Sequence, residues 1–158
     1  MSDPLSARPP SESVAIHTTT VLPEDTNAYG NLFGGHLVEL IDKTASITAS
    51  RHARRNVVTA SIDRVDFHAP VKLGDILTVE SRLTYTGRTS MEIAAVSWAE
   101  DRITGQRVKA CEALLTFVAI DTAGLPAPVP PLKPESNEEH RLFELGAQRA
   151  RARKAERA

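Results

Sequence analysis

The chain reads as an α+β domain built on one long helix and an antiparallel sheet, and three observations predict it. Residues 35–52 place Leu37, Val38, Leu40, Ile41, Ala45, Ile47 and Ala49 at spacings of three and four, the period of a helix with one buried face. Downstream, four strand-like runs are separated only by short turn-forming stretches. Eight of the ten prolines lie in residues 4–10 or 126–134, which leaves only Pro23 and Pro70 to interrupt the segment between.

The elements follow in order. Residues 1–12 are proline-rich with little apolar surface, and a disordered arm is expected there. The folded unit is expected over residues 13–122. It opens with "VAIHTTTVL" (14–22), a strand leading into the turn-rich stretch "DTNAYGN" and then the helix. After "RHARRN", the run "VVTASIDRVDFHA" is β-branched and strand-like, and "PVKLGD" turns the chain. In "ILTVESRLTY", Leu77, Val79, Leu83 and Tyr85 share one face. "TGRTS" turns into "MEIAAVSWAED", and "RITGQR" turns into "VKACEALLTFVAI". Connections this short predict that the last four strands are joined by hairpins and run antiparallel. Residues 123–134 form a proline-rich linker whose "PVPPLKP" is expected to be extended. Residues 135–158 are acidic first and basic last, the order that suits a helix dipole. With only Leu142, Phe143 and Leu145 to pin it, this segment is expected to be a weakly docked helix or a mobile tail. Its five basic residues after Gln148 read as a solvated charge run rather than a phosphate site.

Composition narrows the function. With 158 residues, 41% hydrophobic and 25% charged, the chain has the make-up of a soluble globular domain, and 4% aromatic content predicts an aliphatic core. Lys+Arg 19 against Asp+Glu 20 argues against nucleic acid as the main partner. The single cysteine, Cys111, sits in an apolar run and reads as a buried small hydrophobe; it allows no intrachain disulfide and no cysteine-cluster metal site. The histidines show no metal-ligand spacing, and no metal is expected. No stretch approaches the ~20 apolar residues that span a membrane, and the N-terminus lacks a signal-peptide core, so no membrane partner and a cytoplasmic setting are expected. The run "ALLTFVAI" is apolar at nearly every position, which predicts a strand covered on both faces. One helix covers one face; a second copy of the chain would cover the other, and a homo-oligomer is expected.

One residue disturbs the helical pattern. On a wheel of 100° per residue, Asp42 lies within about 60° of Val38, Ala45 and Ala49 and within about 40° of Gly35 and Ser46. A carboxylate on the flank of an apolar stripe carries a desolvation cost unless something pairs with it. A salt bridge to Lys43 or Arg51, or a place at the solvent edge, would be the bland explanation. Gly34 and Gly35 stand where the helix starts, where unpaired N–H groups and the positive dipole end can hold a developing oxyanion; a plain tight turn is the alternative. Asn27 suits an Asx-turn, as does Asn31.

The runs "LPEDTNAYGNLFGGHLVELID", "VVTASIDRVDFHAPVKLGD" and "TYTGRTSMEI" together resemble the hotdog-fold acyl-CoA thioesterases, in particular the YciA-like enzymes and the domains of cytosolic acyl-CoA hydrolase, over about residues 14–122. The resemblance implies a hotdog fold: a long central helix wrapped by an antiparallel sheet of five to six strands. It implies hydrolysis of an acyl-CoA to free acid and CoA without metal or redox cofactor. It implies Asp42 as general base or nucleophile, Asn27 as the residue orienting water or the substrate carbonyl, and a backbone N–H at Gly34 or Gly35, with Gly34 preferred, for the oxyanion. Ser61 is the implied assisting hydroxyl, and Arg88, Thr89 and Ser90 the turn that meets the CoA phosphate and pantetheine arm. The two halves of the site are implied to come from opposite subunits of a dimer, and the family's precedents for the full assembly are a trimer of dimers and a tetramer, between which the sequence does not choose. Two other hotdog roles stand beside this one: a non-catalytic acyl-CoA-binding module, and a dehydratase, for which His36 is the only candidate histidine near the helix.

Overall fold

The computed structural model describes residues 3–158. Its elements are β1 (Ala15–Thr20), α1 (Gly34–Ala53), β2 (Asn56–Phe67), β3 (Ile76–Thr86), β4 (Ser90–Glu100), β5 (Arg107–Ile120) and α2 (Asn137–Arg157). The five strands form one antiparallel sheet in the order β1-β3-β4-β5-β2. Helix α1 lies across its concave side, and the core forms between them: Ile41, Ala45 and Ala49 meet Leu77, Val79, Ile93, Leu115 and Phe117, all almost fully buried. No helix of the described residues is long and apolar enough to cross a membrane.

The β3–β4 and β4–β5 hairpins are as expected, but β2 is not the hairpin partner of β3. It crosses to the far edge and pairs with β5, from Asn56↔Ile120 to Phe67↔Cys111. The reason lies in the connection at residues 69–75. Its backbone bonds go to other loops, with Leu32 donating to Val71, Leu73 to Gly30 and Gly74 to Val21, and not across a two-strand ladder. That exchange ties the start of α1 to the exit of β2. It also leaves β1 and β2 as the two sheet edges.

Strand β2 carries two bulges against β5, between Thr59 and Ser61 and between Ile62 and Arg64. Each inserts a residue without a partner and bends the strand. The first has a consequence for the site. Thr59 pairs with Phe117, whose side chain faces α1, whereas Ser61 pairs with Thr116 on the opposite face.

The ends of the chain differ most from expectation. The arm predicted to be disordered packs on the domain from Arg8 onward, residues 3–7 being exposed, and Met1 and Ser2 lie outside the described residues. Arg8 bridges to Leu132 and its guanidinium donates to the His52 carbonyl at 2.9 Å, while Pro10 and Ser13 are buried. The proline-rich stretch is extended, and it is packed rather than free, with Ala127, Val129 and Leu132 buried.

The C-terminal segment is a 21-residue helix seated on the outer face of the sheet. Ser136 and Glu139 close a capping box at its start, Phe143 packs its ring 5.1 Å from that of Tyr85, and Arg149 makes two hydrogen bonds, of 2.9 and 2.7 Å, to the buried Glu92 carboxylate. Glu92 also accepts from Thr84 at 2.7 Å. Docking thus rests on a buried charge pair, which leaves no apolar periodicity to read. Part of the outer face that seemed to require a second copy is covered by this helix.

Candidate active site

Asp42 projects from the middle of α1 and is half-buried. Its Oδ1 accepts a hydrogen bond from Thr59 Oγ1 at 2.7 Å. Neither cation that could have neutralised it does so. Lys43 pairs with Glu39 at 2.9 Å and holds that carboxyl below its usual range, and Arg51 donates to the Val14 carbonyl at 2.6 Å. Asp42 therefore keeps an accessible carboxylate, aligned by a hydroxyl and without a counter-charge among the described residues.

Asn27 does what an Asx-turn residue does and keeps something in reserve. Its Oδ1 accepts from Tyr29 N–H at 2.9 Å and Asn31 N–H at 3.2 Å. With the oxygen so fixed, the two Nδ2 hydrogens remain donors without a partner among the described residues. Asn27 borders an open cavity of about 370 Å³ that is also lined by Gly34, Leu37, Phe67 and His68.

This cavity lies at the start of α1. Phe33 caps that end with no side-chain acceptor, so the first N–H groups of the helix have no internal partner. A Cβ at Gly34 would meet the Phe67 ring at 3.4 Å, an ordinary contact, which places the helix start directly beside that ring. Gly34 is the glycine that lines the cavity; Gly35 is outside its wall.

Asp42 and Thr59 are not part of that wall. Eight residues of helix separate Asp42 from Gly34, about 12 Å at 1.5 Å per residue. The chain thus carries two half-sites: a donor-rich cavity at the end of α1, and a carboxylate–hydroxyl pair midway along it.

Ser61 is a correction. The Ala60 bulge turns it to the far side of the sheet, where its hydroxyl donates to Asp63 at 2.8 Å. Thr59 is the hydroxyl that meets Asp42. Period-two alternation would have put both on one face, so the strand itself was the signal and the bulge hid which residue it meant. His68 was also missed; it borders the cavity and is held by Glu112 at 2.8 Å. Lys109 first, and then His68, keep the Glu112 carboxyl below its usual range.

Arg88, Thr89 and Ser90 form the β3–β4 turn at the other end of α1. The Thr89 carbonyl accepts from Ala119 and that of Arg88 from Val129, and Arg88 is exposed. Ala119 pairs with Val57, just past the C-terminus of α1. Cys111 is fully buried, and burial pushes its thiol up to about 11.

A family model described as the thioesterase superfamily matches residues 29–106. A Bacillus subtilis protein described as the uncharacterized acyl-CoA thioester hydrolase YkhA is 46% identical over 143 residues, covering 90% of this chain and 83% of that protein.

The chain belongs to the thioesterase superfamily.

This thioesterase domain is also 38% identical to the cytosolic acyl coenzyme A thioester hydrolase of Rattus norvegicus, over 93% of its own length and only 39% of the rat protein. Among solved structures, an apo-hexameric acyl-CoA thioesterase superposes with a TM-score of 0.92 at 44% identity, over 97% of this chain and 98% of that one. An acyl-CoA hydrolase from Staphylococcus aureus in complex with butyryl coenzyme A superposes with a TM-score of 0.88 at 40% identity, over 96% and 92%. That hydrolase has also been solved as an aspartate, an asparagine and a threonine mutant, each to alanine. The five-stranded antiparallel sheet around a long helix is the hotdog architecture.

Proposed function

We propose that this chain is an acyl-CoA thioesterase whose active site is completed between two copies. The observation that carries the mechanism is the Asp42–Thr59 pair: a hydroxyl-aligned carboxylate, free of any cation, on the same helix as a donor-rich cavity that it does not itself line. In a pair of copies, Asp42 of one faces the Asn27–Gly34 cavity of the other. The hexameric state of one similar thioesterase and the butyryl-CoA bound to another support this reading. So does the choice of an aspartate, an asparagine and a threonine as the mutated residues in the latter.

The reaction balances with water, substrate and these side chains, and needs no metal or redox cofactor. Water attacks the thioester carbonyl carbon while Asp42 takes its proton. The negative charge on the carbonyl oxygen is met by the Gly34 N–H at the helix start and by Asn27 Nδ2–H. The carbon–sulfur bond then breaks, and the CoA thiolate recovers the proton. Direct attack by the Asp42 carboxylate, through an anhydride that water opens, gives the same products. In either route Thr59 aims the carboxylate. Homo-oligomer formation, in a trimer of dimers, belongs to this proposal, as does a cytoplasmic setting like that of the cytosolic hydrolases the chain resembles.

The test is thiol release from a panel of acyl-CoAs, short, long and aryl, by the parent, Asp42→Asn and Thr59→Val. We expect about a 10²–10⁴-fold loss of kcat for Asp42→Asn, the range of a lost general base. For Thr59→Val we expect roughly a 10- to 100-fold loss, that of one hydrogen bond to a charged group. Parent-like turnover by Asp42→Asn would sink the assignment. A silent parent that still binds CoA would turn the reading to a binding module.

A further inference from the structure

The outer face of the sheet carries a polar row that the reaction above does not use. Glu92 on β4, Thr116 on β5 and Ser61 on β2 stand side by side as register partners across three strands. The Asp63 carboxylate closes the row at the β2 edge. Its Oδ1 accepts from Ser61 Oγ at 2.8 Å and its Oδ2 from Thr116 Oγ1 at 3.0 Å. Arg153 of α2 reaches both ends of the row, 3.6 Å from Asp63 Oδ2 and 3.9 Å from Glu92 Oε2. Arg149, four residues earlier, holds the same Glu92 carboxylate. The side chains of Asp63 and Arg153 are each 22% exposed, so water and salt screen their pairing less than that of a surface pair.

Asp63 is also the extra residue of the second β2 bulge, and Ser61 follows directly on the first. Were Ala60 to enter the ladder, Ser61 would fall opposite Leu115, on the face that meets α1. The bend that follows Thr59 would then be lost. Strand β2 is a sheet edge held by one neighbour along its length, where register is weakly specified by the backbone alone. Asp63 supplies what the backbone does not. By accepting from both members of the Ser61–Thr116 pair, its carboxylate keeps Ser61 on the outer face and the extra residue at Ala60. With the bulge fixed there, Thr59 stays on the inner face, 2.7 Å from Asp42.

We infer that Asp63 and Arg153 are positioning residues for the site: from the outer face of the sheet they hold the bulge after Thr59, and through it the hydroxyl that aims Asp42. The inference rests on the thioesterase reading and adds to it a helix on the opposite side of the sheet from the reacting carboxylate. Both residues act through Thr59, which sets the form of the test.

The test is a double-mutant cycle on thiol release from an acyl-CoA, with Asp63→Ala, Thr59→Val and the two combined. Asp63→Ala alone is expected to lower kcat by about tenfold, as for one lost hydrogen bond to a charged group, with KM little changed. In the Thr59→Val background the same substitution is expected to change kcat by less than about twofold, because the contact it serves is already gone. Equal losses in both backgrounds would make Asp63 a merely structural residue and overturn the proposal, as would a parent-like kcat for Asp63→Ala alone. Arg153→Gln is expected to repeat the pattern with a loss of about threefold, and Arg153→Lys to restore most of it. A parent-like kcat in Arg153→Gln overturns the part given to α2. Should Asp63→Ala fail to fold, Asp63→Asn, which keeps an acceptor for Ser61 and loses the charge that faces Arg153, takes its place in the cycle. Should the parent release no thiol, the thioesterase reading fails separately, and crystal structures of the parent and the Asp63 variant decide. A Thr59 hydroxyl parted from Asp42 in the variant upholds the proposal, and the parent's contact retained refutes it.

Discussion

A carboxylate in the body of a core helix is explained by what it lacks. Asp42 has a hydroxyl partner and no cation among the described residues, because Lys43 and Arg51 are both committed elsewhere. A second polar residue at this scale, His52, is buried at the C-terminal end of α1. Its Nε2 hydrogen-bonds the Pro130 carbonyl at 2.7 Å while Nδ1 has no partner among the described residues, and Arg8 and Glu12 are the charged groups facing it. Burial, as the largest cause, holds its pKa below the ordinary 6.5. An unfolded chain then takes up a proton at a pH where the folded chain does not. Stability that depends on neutral His52 is complete above about pH 6.5 and is lost as the pH falls toward the folded value, by up to about 1.4 kcal/mol per pH unit. Thermal midpoints measured from pH 7 to pH 5 are expected to fall more steeply in the parent than in His52→Gln, which keeps a donor for Pro130. Parallel curves would show that His52 does not contribute.

At the scale of elements, what was legible was whatever a period could announce. The helix predicted at 35–52 is α1 within a residue or two at each end, and the strands after it fall where alternation and turns put them. Three things had no local signal. Strand β2 leaves its sequence neighbour for β5 because a loop is bonded elsewhere, a long-range choice. The bulge at Ala60 exchanges Ser61 for Thr59 as the site hydroxyl. Helix α2 docks through Arg149 and Glu92, residues far apart in sequence. A glycine in that helix makes the point quantitatively. Replacing Gly146 by alanine improves helix propensity by about 1 kcal/mol. Yet the new Cβ would stand 2.5 Å from Tyr85 Cβ and 3.1 Å from Glu92 Oε1, the first atom of a strand side chain and a carboxylate held by Arg149, both with little room to give. Overpacking costs about 1–3 kcal/mol. Gly146→Ala is therefore expected to lower the denaturation midpoint, with Tyr85 fluorescence reporting a displaced α2; a raised midpoint would show that the helix approaches the sheet less closely.

The whole molecule is marked by where its apolar surface remains. Ile47 on α1 is 46% exposed and Val58 on the edge strand β2 is 45% exposed, on the same two elements that hold Asp42 and Thr59. An unpaired edge with apolar side chains is a surface for a second chain. If the half-sites meet across that surface, assembly and activity fail together. Ile47→Asp is expected to shift the sedimentation of the protein toward monomer and to abolish thiol release in the same sample. Full turnover by a monomer would show that one chain suffices.

The two bulges of β2 carry a last implication. Ten residues of β2 have register partners on β5, and residues 60 and 63 have none. Twelve residues of β2 thus lie against ten of β5, and β2 is an edge of the sheet, free to take up the excess as bends. One of those bends follows directly on Thr59, the residue that donates to Asp42. Selection acting on the length of that strand, with no change to either residue, would be enough to tighten or release their contact.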